Sequence, residues 1–98
     1  MNKTIAIIGG TQEQTFRSLA KRKGISITFH NGKTKRSPRE ELERVVKGVD
    51  CIVVLTDACS HPAMMAAKGW AQELNIPIAF HRSRGATGAV NMGLKLVS

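Results

Sequence analysis

Lys3-Thr4-Ile5-Ala6-Ile7-Ile8-Gly9-Gly10-Thr11 is the stretch from which the fold can be read. Ile5 to Ile8 are apolar without alternation, the pattern of a short strand buried on both faces inside a parallel sheet. Gly9-Gly10 supplies the exit turn, and Thr11 can cap the helix that follows. Phe16, Leu19 and Ala20 then recur at helical spacing. Lys21-Arg22-Lys23 suits a last helical turn, where the helix dipole favours cations, and Gly24 is the stop. Ile25–Phe29 reads as a second strand.

The same unit recurs downstream. Ser37 predicts an N-cap, Pro38 fits the first helical position, and Glu40 can close a capping box. Leu42, Val45, Val46 and Val49 form a core-facing stripe, Gly48 ends that helix, and Cys51–Leu55 is a third strand. Ser60-His61-Pro62 opens a third helix, with Ala63, Ala67, Trp70, Ala71 and Leu74 on one side and Asn75 at its close. Ile76–Phe80 is a fourth strand, and Pro77 at its start points to a sheet edge. A short last helix follows Gly85 and carries Val90 and Leu94. Strict alternation with short connections requires parallel strands and right-handed crossovers. The expected architecture is α/β, a three-layer sandwich whose four-stranded parallel sheet has order 2-1-3-4, flavodoxin-like or Rossmann-like.

With 98 residues and 42% hydrophobic content, the chain makes one domain, residues 1–98, with a packed core. No apolar run approaches the roughly 18–20 residues of a membrane span, so no membrane partner is expected. The apolar run near the N-terminus is too short for a signal-peptide core. Two cysteines, Cys51 and Cys59, suit a reducing compartment, and the expected location is cytoplasmic. A four-stranded sheet leaves two open edges, a liability that association relieves. A homodimer or higher homo-oligomer is expected, with Val90, Met92, Leu94 and Leu96 as contacts.

The formal net charge is +8, and it is lopsided. Residues 1–49 hold eleven basic and four acidic side chains; residues 50–98 hold four and three. Lys21, Arg22, Lys23, Lys33, Lys35, Arg36 and Arg39 follow one another with no intervening acid. Such a balance points to a polyanionic partner. Nucleic acid and a phosphorylated small molecule are the two candidates. Only Phe16, Phe29, Phe80 and Trp70 are aromatic, and no basic-aromatic stacking motif is present, so phosphate contacts would dominate any nucleic-acid binding.

In an open parallel sheet, ligands bind beyond the carboxyl ends of the strands. The loops there are Gly9-Gly10-Thr11-Gln12, His30-Asn31-Gly32-Lys33, Thr56-Asp57-Ala58-Cys59-Ser60-His61 and His81-Arg82-Ser83-Arg84-Gly85. All three histidines fall in them. Gly9-Gly10 lets backbone N–H groups approach an anion beside a helix N-terminus. It is not G-x-G-x-x-G, His30 replaces the acid that would hold a ribose, and no G-x-x-x-x-G-K-[ST] exists, so neither a dinucleotide cofactor nor a P-loop is indicated. Arg82 and Arg84 flank Ser83 with forked donors suited to phosphate. With order 2-1-3-4, the loops after the first, third and fourth strands should share one crevice. The candidate anion-binding set is Gly9, Gly10, Thr11, His30, Asp57, Ser60, His61, Arg82, Ser83 and Arg84. The seven clustered cations form a candidate nucleic-acid patch. No catalytic set, cofactor or metal site is assigned. The alternative is a small metal- or thiol-dependent sensor or enzyme using Cys59, His61 and His81, with the Cys59 pKa lowered by its basic loop and helix N-terminus.

Laid side by side, these loops give the chain a resemblance. Gly9-Gly10, His30-Asn31-Gly32, Asp57-Ala58-Cys59-Ser60-His61 and Arg82-Ser83-Arg84-Gly85 match the Gly-Gly, His-x-Gly, Asp-x-x-Ser-His and Arg-Ser-x-Gly turns of a family of small bacterial Rossmann-like domains. The similarity runs from about Thr4 to Leu94. The family often doubles its first histidine and follows it with Asp, where Phe29 and Asn31 stand here. The resemblance implies the fold and a site at the strand-end loops. It carries no assigned activity.

Overall fold

The computed structural model describes residues 3–82 and 85–97. The elements alternate as the pattern requires: β1 (Thr4–Ile8), α1 (Glu13–Arg22), β2 (Ser26–His30), α2 (Pro38–Val46), β3 (Cys51–Leu55), α3 (His61–Leu74), β4 (Ile78–His81) and α4 (Ala86–Val97), with a 3₁₀ turn over Thr56–Ala58. The sheet is entirely parallel, in order β2-β1-β3-β4. The order reverses between β1 and β3: the chain leaves β1 toward β2, then returns over β1 to β3. Right-handed crossovers in opposite directions put their helices on opposite faces. So α1 and α4 cover one side and α2 and α3 the other.

The central strands show why their sequences are continuously apolar. In β1, Ile5 and Ile7 join Phe16, Ala20, Val53, Leu55 and Val90 on the α1/α4 side. Ala6 and Ile8 join Leu42, Val46, Ile52, Val54 and Trp70 on the α2/α3 side. All five β3 residues are buried. Deleting such a side chain leaves a cavity as well as losing burial, a loss of about 2–5 kcal/mol for an Ile→Ala change.

Element ends follow local chemistry, in places one or two residues from expectation. Gln12, not Thr11, occupies the α1 N-cap, with no side-chain cap bond. Ile25 N–H donates to Ala20 O and so belongs to the turn after α1; β2 starts at Ser26 and runs through His30. Ser37 holds the α2 N-cap position, but its hydroxyl makes no cap bond. Glu41, rather than Glu40, supplies the closure. Its carboxylate accepts the backbone N–H groups of Lys35, Arg36 and Ser37 at 3.0–3.2 Å. At α3, Ser60 Oγ accepts the Ala63 N–H at 3.3 Å, and Asn75 closes the helix in the left-handed region. β4 begins only at Ile78 and lies at the sheet edge, as Pro77 foretold.

The last helix is not short: at 12 residues it seals the α1/α4 face. Val90 is fully buried there and is unable to meet a second chain, while Met92, Leu94 and Leu96 pack partly against the same core. The exposed large apolar side chains among the described residues are Met65, Leu74 and Phe80. None of the described helices is long and apolar enough to cross a membrane.

Candidate functional site

Beyond the carboxyl ends of β1, β2 and β3, three loops enclose a crevice of about 440 Å³. It lies where the strand order reverses between β1 and β3, where α/β sheets leave room for a ligand. The turn after β1 lines it through Gly9, Gly10, Thr11 and Gln12, with Phe16 of α1 at the floor. Asn31 and Lys33 line it from the loop after β2; Leu55, Asp57, Ala58, Cys59 and Ser60 do so from the end of β3 and the loop beyond.

The three loops are bonded to one another through backbone. Gly9 N–H donates to His30 O at 2.7 Å, Gly10 N–H to Asn31 O at 3.1 Å and Ala58 O at 3.2 Å, and Ser60 N–H to Gly32 O at 2.8 Å. This alters the role of the glycine pair. Both of its N–H groups are engaged by neighbouring loops, so they are not the anion donors that the Gly-Gly turn suggested. Gly9 is needed for close approach, since a Cβ there would stand 3.0 Å from both Leu55 Cβ and Leu55 O, whereas Gly10 has room for a Cβ and is favoured by its φ of +89° alone. Gly32 is tighter still. Its φ is +82°, and a Cβ there would lie 2.8 Å from Ala58 O and 2.9 Å from both Cys59 Cα and Gly9 Cα.

Thr11 and Gln12 lead from the crevice into the N-terminus of α1. Its first intrahelical bond is Phe16 N–H to Gln12 O, so the amides of the preceding turn have no helical partner. They carry the positive end of the helix dipole. Lys33 adds a cation from an exposed position, on a loop shaped by the Lys33 N–H bond to Asn31 Oδ1 at 2.9 Å. His30 stands behind this wall. Its Nδ1 accepts the Gly32 N–H at 3.0 Å, and burial lowers its pKa below 6.5, opposed by the Glu41 charge. The Glu41 pKa is lowered in turn, first by the Lys35 N–H bond.

The expected site residues divide. Gly9, Gly10, Thr11, Asp57 and Ser60 share the crevice. His30 supports it from behind. His61 is exposed at the first position of α3 and does not line it. Arg82 is exposed and lines a separate shallow cleft with Thr56, Met64, Lys68 and Phe80. Ser83 and Arg84 lie outside the described residues. Gln12, Asn31, Gly32 and Lys33 were not in the expected anion set. The sheet order held the missing signal, because β2 adjoins β1 and its loop must adjoin the Gly-Gly turn.

The seven clustered cations divide as well. Lys33, Lys35 and Arg36 sit on the crevice side. Lys21, Arg22 and Lys23 end α1 at the opposite edge of the sheet, near the amino ends of β1 and β2, where Ser26 N–H bonds Lys3 O. Arg39 is engaged structurally: its guanidinium lies 4.2 Å over the Trp70 ring and pairs with Glu73, while its carbonyl accepts the Trp70 indole N–H at 2.7 Å.

Cys59 does not have the lowered pKa that its loop suggested. Burial pushes its thiol up to about 11, and Sγ–H donates to Ser60 O at 3.5 Å. His81 ends β4 with its ring against α4, where a Cβ on Gly88 would stand 2.7 Å from Nε2. Among the described residues, no group of three His, Cys, Asp or Glu side chains is placed to hold a metal ion.

Residues 4–96 match the DUF2325 family, described as an uncharacterized protein conserved in bacteria. The chain belongs to this family. Similar proteins include a UPF0751 protein of Bacillus anthracis strain CDC 684 / NRRL 3495, 36% identical over 92 residues that cover 94% of this chain and 93% of the relative. A UPF0751 protein of Bacillus cereus strain AH820 shows the same identity and coverage. One of Desulfitobacterium hafniense strain Y51 is 34% identical over 89 residues, covering 90% and 88%. No solved structure matches the chain.

Proposed function

We propose that this DUF2325 protein is a binding module, not an enzyme, and that its crevice takes a small phosphate-bearing ligand. The observation that carries the reading is the crevice itself, at the β1/β3 reversal, with the α1 N-terminus and Lys33 on its rim and Phe16 and Leu55 at its floor. Lys33 and the α1 N-terminus suit the phosphate, with the Asp57 carboxylate the one acid among the described residues lining the crevice, and the apolar floor suits the uncharged remainder of the molecule. Isothermal titration with adenosine 5′-monophosphate and with inorganic phosphate tests it. Binding by the wild type, weakened about tenfold or more in Lys33→Ala through loss of a charge-assisted contact, supports the reading. No heat from either compound at millimolar concentration refutes it.

A second reading keeps nucleic acid as the partner. It is favoured by three exposed cations on one loop, Lys33, Lys35 and Arg36, for which no ion pair is found among the described residues. The separation of Lys21, Arg22 and Lys23 from this loop counts against a single continuous patch.

A further inference from the structure

We infer that His30 is the positioning residue of the crevice, holding its β2 wall through Gly32 while the imidazole is neutral and releasing it on protonation. This rests on the proposed anion-binding role of the crevice.

The argument begins with connectivity. His30 is the last residue of β2 and bonds the neighbouring loops at two points. Its carbonyl takes the Gly9 N–H at 2.7 Å, and its ring Nδ1 takes the Gly32 N–H at 3.0 Å. Gly32 passes the connection on, since its own carbonyl takes the Ser60 N–H at 2.8 Å. A single ring nitrogen therefore fixes the residue that joins the β2 loop to the start of α3. Asn31 and Lys33 flank that residue, and both line the crevice. Gly32 leaves no room for a side chain, because an added Cβ would stand 2.8–2.9 Å from backbone atoms of Gly9, Ala58 and Cys59.

An imidazole nitrogen accepts a hydrogen bond only through its lone pair, so the bond from Gly32 requires the neutral ring with its proton on Nε2. Protonation turns Nδ1 into a donor facing another donor, and the bond is lost. Glu41 on α2 is the charged group whose field reaches the ring. Cys59, on the loop after β3, is a neutral thiol at these pH values. The turn after β1 brings only Gly9 and Gly10, and the loop beyond His30 carries Lys33 and Lys35. Burial holds the ring neutral at ordinary pH, so the wall is set near neutrality and loosens as the solution becomes acid.

Sulfate is the suitable probe, because it stays a dianion across the range in which histidine titrates, about pH 5–8. Its affinity is measured by amide shifts of the crevice residues in the wild type, His30→Asn and His30→Ala. Asn offers an acceptor oxygen close to the position of Nδ1 and does not titrate. The wild type should lose affinity about threefold to tenfold on acidification, the worth of one hydrogen bond. His30→Asn should bind near the wild-type level at neutral pH with a flat profile, and His30→Ala weakly throughout. Imidazole nitrogen spectra should show Nδ1 without a proton at neutral pH, with the Gly32 amide shift following the titration of the ring.

Sulfate binding that strengthens with acid would mean that the ring acts only through its added charge, and would overturn the inference. A His30→Asn profile that follows the wild type, or a protonated Nδ1 at neutral pH, would overturn it as well. Those results leave the anion-binding reading standing. Absence of sulfate binding to the wild type at every pH instead removes that reading, and the inference with it.

Discussion

Replacing Gly32 by Ala measures how closely the three loops are joined. Two costs follow from the structure. The φ of +82° is unfavourable for a residue with a Cβ, at about 1–2 kcal/mol. The Cβ would also stand 2.8–2.9 Å from three backbone atoms, Ala58 O, Cys59 Cα and Gly9 Cα, none of which can swing aside as a side chain does. Overpacking of this kind adds about 1–3 kcal/mol. Gly24 provides the control: its φ is +70°, but a Cβ there meets nothing within 4 Å. Gly24→Ala should therefore show the conformational cost alone. Gly32→Ala should be less stable than Gly24→Ala by about 1–3 kcal/mol, which in a domain of this size lowers the thermal midpoint by at least about 4 °C more. Urea unfolding followed by circular dichroism reads the difference, with unchanged slopes confirming comparable unfolding in each variant. Equal midpoints for the two alanine variants would refute the close junction of loops on which the crevice depends.

Three further outcomes are expected. Because the folded-state pKa of His30 is lowered from 6.5, its contribution to stability is full above that pH and is lost as pH falls through the folded value; Glu41, lowered from 4.5, contributes above 4.5 and loses its share only at more acid pH. Urea midpoints across a pH series should show His30→Asn removing the first loss and leaving the second, and parallel curves for wild type and variant would contradict this. With its thiol pushed up to about 11, Cys59 should react with iodoacetamide at neutral pH tens of times more slowly in the folded protein than in urea, by peptide mass spectrometry, and equal rates would contradict the burial argument. If the protein binds duplex DNA, changing Lys33, Lys35 and Arg36 to Ala should reduce the slope of log affinity against log salt by up to about 3, whereas changing Lys21, Arg22 and Lys23 should leave it unaltered; the reverse pattern would move the interface to the opposite edge of the sheet.

The layers of this fold are local information. The unbroken apolar runs of β1 and β3, the Leu42-Val45-Val46-Val49 stripe, the Ser60 cap and the Asn75 stop each act within a few residues, and together they specify βαβ units whose chirality leaves few orders for the sheet. The loops are different, because their chemistry is decided by partners distant in the chain. Gly9-Gly10 looks like an anion turn until His30, Asn31 and Ala58 are seen to take its two N–H groups. Arg39 reads as one of seven free cations until Trp70 and Glu73 are brought against it. Cys59 stands just before the helix opening at Ser60-His61-Pro62 in the sequence, yet burial raises its pKa instead of lowering it. Capping also slips by one residue, since the amides of Lys35, Arg36 and Ser37 fold around Glu41 rather than Glu40.

The most direct test of the central claim is a crystal structure determined with adenosine 5′-monophosphate present. The account predicts the phosphate beside Thr11, Gln12 and the Lys33 ammonium, with the uncharged part of the molecule over Phe16 and Leu55. An empty crevice, with nucleotide bound instead at Lys21, Arg22 and Lys23, in the cleft beside Arg82, or nowhere on the protein, would contradict it.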